Sequence, residues 1–498
     1  MKDNLLDNSQ VCVSFQPVYQ CLHIFDTLGI KNEFQNLFEE NRRIQANLTL
    51  TQNVKLDEDL AHFEFFLREV VGFFIVEFYL LHSPHAFRSK LKIESLWENA
   101  MSKINSIVSE NFRDCKNPQI FLSLKKMNYN VIKTMRGYNF NTQPMEDFQL
   151  ILFNRYLDTI RSQMNEQILK SIEGDDFELF HCPNKDTFSI LKSELEFIQE
   201  PGEYPSDLPF TKSVYDLFLR IKEFIFNFYL FFDDNEFESG DIDDIVKKHV
   251  DNFLNGIIAT KYLEKVTSED LKLISQVCLN FEAFIYLCSG ISKILLEKRN
   301  FKVSNIVLTA EQTFKDSKKS VEFKLFEMVN NKIESLIQQS GSPSSYISNL
   351  INYLEEIDKL LKLPQKEKAF IYFEALTHLS NSILNILVGP SPPKLSYQFI
   401  ENLNIDLTLL ESFIKKLKDA NLDDVFIEIR QILQLIRNNK FDDYLDSNIR
   451  NKRFSMLKSS NVISVMEKLK DTTPLKQDSK AQKRNIENFI KSIKDQHI

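Results

Sequence analysis

Chemistry in a protein needs particular side chains at particular spacings, and three places in this chain come near to having them. His82-Ser83-Pro84-His85 sets two imidazoles across a short turn, a spacing that lets both reach one metal ion. No cysteine or third histidine stands nearby to complete a ligand set, so the pair reads as a helix end. His181-Cys182 puts a base beside a thiol, the pairing of nucleophilic catalysis, but it lies in an acidic loop without a partner His or Asn signal. Asp233, Asp234, Asp241, Asp243 and Asp244 gather around Gly240. No glutamate closes that cluster at the distance a calcium loop requires, so it reads as a helix C-terminus, a loop and an acidic N-cap at Asp241. Glycine-rich phosphate loops, GxSxG elbows and HExxH pairs do not occur in the sequence. The expectation is a chain that is not an enzyme and uses no metal or cofactor.

The elements that would position any site are helices. The sequence has 10 glycines in 498 residues, where an average protein has about 7%. Glycine supplies the positive-φ corners of hairpins and phosphate loops, so few such corners are available. Apolar residues recur three and four apart, as in Leu271, Ile274, Cys278, Phe281, Ile285, Cys288, Ile291 and Leu295. Helices are expected near 57–82, 92–113, 118–136, 147–172, 211–232, 241–259, 268–297, 308–339, 344–363, 365–388, 399–418, 423–438, 461–470 and 481–494. Thr267-Ser268-Glu269-Asp270 suits the start of one of them.

Breakers divide these runs. Pro183, Pro201, Gly202, Pro205 and Pro209 cluster with acidic residues after Gly174, Ser340-Gly341-Ser342-Pro343 marks a second division, and Leu363-Pro364 ends one helix and starts another. The expected organisation is a bundle over 1–174, an acidic Pro-containing linker over 175–209, a middle bundle over 210–340 and a C-terminal bundle over 341–498. No fixed repeat of 34 or 40 residues appears, so serial antiparallel bundles forming an elongated all-α rod are expected rather than a solenoid.

Six cysteines without paired spacing point to a reducing compartment. The N-terminus lacks the apolar core of a signal peptide. The apolar stretch Val70–Leu81 is shorter than a span of about 20 residues and contains Glu77, so a buried helix and a cytosolic chain are expected. Net charge is −9, yet the stretch from Asn448 onward has twelve Lys/Arg against five Asp/Glu. A basic tail on an acidic body suits a solvated helix, acidic lipid or an acidic partner, whereas an acidic body disfavours nucleic acid.

Short motifs then occur in a fixed order. They run from Phe15-Gln16-Pro17-Val18-Tyr19 and Cys21-Leu22-His23-Ile24 through Val71-Gly72-Phe73-Phe74-Ile75-Val76-Glu77, Leu96-Trp97 and Gly137-Tyr138. Next come Arg220-Ile221-Lys222-Glu223-Phe224-Ile225, Phe314-Lys315-Asp316, Leu350-Ile351, His378-Leu379-Ser380 and Asn404-Ile405-Asp406. Ile429-Arg430-Gln431-Ile432-Leu433 and Glu467-Lys468-Leu469-Lys470-Asp471 close the series. Collinear over roughly 15–495, they resemble the family of exocyst complex component 6, the exocyst's Sec-fifteen subunit. Two departures stand out. The family's N-terminal third, with its coiled-coil helix, has no counterpart before Phe15, and Asn439-Lys440-Phe441-Asp442 replaces a tryptophan-rich segment.

The resemblance implies a vesicle-tethering subunit that receives a GTP-bound Rab GTPase on secretory vesicles and joins it to other exocyst subunits. It implies a cytoplasmic protein, peripheral at vesicles and plasma-membrane exocytic sites, with no small-molecule substrate and no nucleic acid. The Rab surface is expected in the C-terminal bundle, with Asn404 carried over from the Asn-Ile-Asp motif. Helical spacing sets Asn404, Thr408 and Glu411 on one face, opposite Leu410, Phe413 and Leu417. The alternative for Asn404 is a helix cap. The alternative for the chain is a helical scaffold subunit of another tethering complex that binds no GTPase.

Overall fold

A computed structural model describes residues 13–51, 54, 60–83, 88–111, 115–232, 240–298, 306–338, 345–361, 365–417, 422, 424–439, 441–472 and 479–495. The fold is all-α: helices carry the described chain, and two three-residue strands are its only ladder among the described residues. Ser340-Gly341-Ser342-Pro343, Leu363-Pro364, Pro84, His85, Asp233 and Asp234 lie outside the described residues, as does the side chain of Asp241. The chain divides into two compact units, one of residues 1–168, 219–250 and 295–304, the other of 169–218, 251–294 and 305–498.

The first unit begins with α1 (Gln16–Thr27) and α2 (Lys31–Leu50), two helices that the sequence pattern did not delimit. Gly29, at φ +75°, makes the corner between them, a conformation that costs glycine nothing. Leu22 packs on Leu80 with Phe15, Val18, Phe34 and Phe38, fastening this hairpin to α3 (Ala61–Leu81). α4 (Lys90–Asn111), α5 (Pro118–Gly137) and α6 (Gln143–Glu173) follow. Asn117 caps α5 by accepting from Gln119 N at 3.0 Å, with Pro118 where its missing N–H is harmless. Trp97 meets Phe74 edge-on at 4.9 Å and donates its indole N–H to Asn141 O at 2.7 Å, which gives the buried ring its one polar contact.

Glu77 carries the one charge in the apolar run of α3, and it is completely buried. Its carboxylate is held by Arg42 of α2 and by Arg88, whose Nε and Nη2 lie 2.7 and 2.6 Å away. Arg88 also pairs with Glu39, and Arg42 lies 4.2 Å above the Phe73 ring. Four charges thus bind α2, α3 and the approach to α4 together. In the same unit Tyr229 donates to the buried Asp243 at 2.6 Å, so that member of the acidic cluster is a core partner.

The second unit opens with β1 (Phe180–Cys182), α7 (Lys185–Glu194) and β2 (Ser206–Leu208), the strands pairing antiparallel. Its polar core centres on Asp175, which accepts from Thr211 and Ser213 at 2.8 and 2.5 Å. α8 (Lys212–Leu230) and α9 (Gly240–Asn252) follow in the chain, and residues 219–250 of this stretch belong to the first unit. α10 (Thr260–Lys265), α11 (Leu271–Lys298, but for its last four residues) and α12 (Ala310–Gln338) belong to the second. Asp270 caps α11 by accepting from Lys272 N at 2.9 Å. α11 is long and apolar enough to cross a membrane by length and composition, and half of its most apolar window is buried within the fold. Ile274, Cys278, Phe281, Cys288, Ile291 and Leu295 are buried, as their helical spacing requires. α13 (Ser345–Leu360), α14 (Gln365–Val388), α15 (Tyr397–Leu417), α16 (Ile427–Asn438), α17 (Phe441–Leu445), α18 (Ser447–Arg453), α19 (Ser459–Leu469) and α20 (Ser479–Asp495) complete it.

Candidate partner-binding face

α15 starts where Ser396 accepts from Phe399 N at 3.1 Å. Asn404 is therefore well inside the helix, and the cap reading of that residue is corrected: Ser396 holds the position. Ile400, Leu403, Leu407, Leu410, Phe413 and Ile414 face the core. α16 buries Ile429, Ile432, Leu433, Leu435 and Ile436 and stops at Asn439, whose left-handed backbone ends the helix. The two helices run antiparallel, with Glu401 opposite Arg437 and Glu411 opposite Arg430.

All three residues placed on one face by helical spacing meet a single side chain. Arg430 donates Nη1 to Asn404 Oδ1 at 2.8 Å, Nε to Glu411 Oε1 at 2.8 Å and Nη2 to Glu411 Oε2 at 2.7 Å. Its Nη2 also lies 3.4 Å from Thr408 Oγ1, and that hydroxyl donates back to Asn404 O. This is a fork-on-fork pairing in which the planar guanidinium fixes the directions of its acceptors. Arg430 is only 21% exposed, so the cluster is set and partly shielded from water. The sequence contained the signal, since Arg430 stands in the Ile429-Arg430-Gln431-Ile432-Leu433 motif, but its partners follow only from the docking of α16 on α15.

Beside the cluster, Ile405 and Leu409 are 56% and 43% exposed, one helical turn apart. The α15 surface there thus carries an exposed apolar pair beside polar groups whose directions are fixed. Beneath it lies Asp406, 1% exposed, with neither carboxylate oxygen hydrogen-bonded among the described residues. Burial pushes its carboxyl up to about 6. A concavity of about 650 Å³ lies between α14, the start of α16 and the segment before α19, where Phe373, Glu428, Met456 and Lys458 are among the lining residues.

The other chemistry-bearing residues are elsewhere engaged. The His82 ring turns back to Phe78 O at 2.8 Å. His181 pairs across the ladder with Asp207 at 2.9 Å, while Cys182 is buried. Successive strand residues point to opposite faces, so His181 and Cys182 are adjacent in sequence and separated in space.

The chain from 144 to 468 matches the family described as Exocyst complex subunit Sec15 C-terminal. The chain belongs to the Sec15 family of exocyst subunits. It is 25% identical to human exocyst complex component 6 over 97% of its own length and 64% of that protein. The fission yeast exocyst complex component sec15 is 24% identical, with 98% of this chain and 67% of that one covered. For exocyst complex component 6 of Caenorhabditis elegans the figures are 23%, 94% and 61%. The chain therefore spans between 61% and 67% of the length of these relatives. A solved structure titled Crystal Structure of Sec15 C-terminal domain superposes with a TM-score of 0.40 at 16% identity, covering 59% of this chain and 99% of that one. The Sec15 match includes α15 and α16 and hence the whole Arg430 cluster.

Proposed function

We propose that this Sec15 family chain is a non-catalytic exocyst subunit that binds a GTP-loaded Rab GTPase through the outer side of α15 and joins it to other exocyst subunits. In this reading it is a cytoplasmic protein, peripheral at secretory vesicles and at the plasma membrane, and it tethers one to the other before fusion. The observation that supports it most is the Arg430-ordered set of Asn404, Thr408 and Glu411 beside exposed Ile405 and Leu409. A GTPase switch region is ordered by the γ-phosphate and released on hydrolysis. A rigid face with apolar and polar contacts in fixed positions discriminates those two states, because it loses little entropy on binding.

Pull-down with GTP-loaded against GDP-loaded Rab proteins tests the reading, which requires capture of the GTP form alone. Asn404→Ala should weaken that capture by about 1–3 kcal/mol, because a partner group loses its match. It should lower stability by no more than about 1 kcal/mol, since Arg430 keeps both Glu411 oxygens. Arg430→Ala should reduce binding at least as far, because it frees all three side chains at once. The same engagement of Asn404 by Arg430 favours a second reading, a helical scaffold without a GTPase contact, in which the cluster only fastens α15 to α16. A lowered melting temperature with unchanged affinity in both variants would establish the scaffold reading.

A further inference from the structure

The acidic segment from Asp175 to Pro209 contains nine carboxylates against two lysines and takes no part in the α15 face. It is folded as the β1–α7–β2 element, and Phe180 N donates to Phe210 O at 2.7 Å. Against α11 it encloses a cavity of about 310 Å³. Phe197 and Tyr286 stack there with centroids 5.3 Å apart and planes 13° from parallel, and Phe210 stands 6.0 Å from Phe197. Tyr286 is 52% exposed, so this stack is open to solvent. Asp207, Glu282 and Ser206 complete the polar wall, and Ser206 Oγ is buried with no hydrogen-bond partner among the described residues.

The cations around the cavity are already held. His181 is paired with Asp207, Lys318 with Glu282 at 3.0 Å, Lys293 with Glu196 and Lys185 with Glu200 at 3.5 Å. Lys192 donates to the carbonyls of Glu196 and Ile198. Glu203 and Asp186 have no ion-pair partner among the described residues. The lining of the slot itself carries two carboxylates, Asp207 and Glu282, and no basic side chain, and an open aromatic face beside carboxylates attracts a cation.

We propose that this slot docks an arginine-bearing, extended segment of a partner protein. The planar guanidinium stacks on the open face of the Phe197–Tyr286 pair and donates to the Asp207 carboxylate, while apolar neighbours of the arginine lie against Pro201 and Pro209 of the lining. Arginine fits better than lysine because its flat, weakly hydrated head stacks and donates in one plane. An anionic lipid or a nucleic acid is repelled by the same carboxylates.

Fluorescence anisotropy on the full chain tests this with a labelled Gly-Leu-Arg-Ser-Arg-Leu-Gly peptide, its lysine counterpart and its norleucine counterpart. The arginine peptide should bind in a salt-dependent manner, the lysine peptide several-fold more weakly and the norleucine peptide not at all. Tyr286→Ala and Asp207→Asn should each weaken binding about tenfold with unchanged helical circular dichroism, since both side chains are exposed. A double variant in α4 of the first unit, Glu98→Gln with Glu110→Gln, should bind as the parent does, since neither residue lines the slot. Absent binding, full binding by Tyr286→Ala, or an equal loss in the α4 variant would each overturn the proposal.

Discussion

Glu77→Gln should destabilise the first unit by about 3–5 kcal/mol, read as a lowered denaturant midpoint with the helical signal retained before the transition. The reason is geometric. Glu77 and Arg88 are completely buried, and Arg42 is 12% exposed, so the carboxylate is the shared counter-charge of two guanidiniums that water hardly reaches. Glutamine keeps one acceptor oxygen but turns the other into an N–H₂ donor that faces a guanidinium, and both Arg42 and Arg88 lose the buried counter-charge, Arg88 keeping only Glu39. Removing one member of a buried ionic set costs far more than the set contributes net, because the desolvation of the others has no compensation. A quadruple variant with Glu77→Leu, Arg42→Met, Arg88→Met and Glu39→Gln should recover most of the loss, since it leaves no charge of the set without its partner. A Glu77→Gln change below about 1 kcal/mol would show that water reaches the network after all.

Asp406→Asn should do the opposite and stabilise the second unit near neutral pH. The Asp406 carboxyl is held up to about 6 by burial, against an ordinary value near 3.8. The folded chain therefore keeps this proton at pH values where the unfolded chain has released it. Stability from this group is full below about 4 and is lost as pH rises through about 6. At about pH 7.5 the ionised, unpartnered carboxylate costs roughly 2–3 kcal/mol, at about 1.4 kcal/mol per tenfold change in proton affinity. Asparagine carries no such charge, so the variant should melt higher than the parent at about pH 7.5, and the gain should shrink steadily as the pH falls toward 4. An equal or lower melting temperature at neutral pH, or a gain independent of pH, would mean that Asp406 is solvated or paired in solution. A group that costs stability beneath the α15 face is the kind of local inconsistency that folds tolerate at functional surfaces.

The reach of the sequence differs between these sites for an identifiable reason. α14 occupies Gln365–Val388, the limits read from the pattern, and α5 ends within one residue of its expected stop. Those limits depend on neighbours a few positions away: apolar period, proline at the first turn, an asparagine cap. The shared face of Asn404, Thr408 and Glu411 was legible for the same reason, because the helical period is a local rule. The sequence marks Asp406 only as part of its motif, although the same period puts it on the apolar side of α15 between Leu403 and Leu410.

What only the tertiary structure decided is which distant residue each of these meets. Arg430 lies 19 to 26 residues from its three acceptors, and its direction is set by how Ile429, Ile432 and Leu433 seat α16 against its neighbours. Glu77 obtains Arg42 from 35 positions before it and Arg88 from 11 after it, through the packing of α2 and α3. The ladder of β1 with β2 joins Cys182 to Ser206 and turns His181 away from its own neighbour in the chain. Helices follow from short-range sterics and backbone hydrogen bonding, so composition and period determine them. Ion pairs between helices follow from the relative rotation and register of packed elements, which close packing fixes and no local pattern encodes.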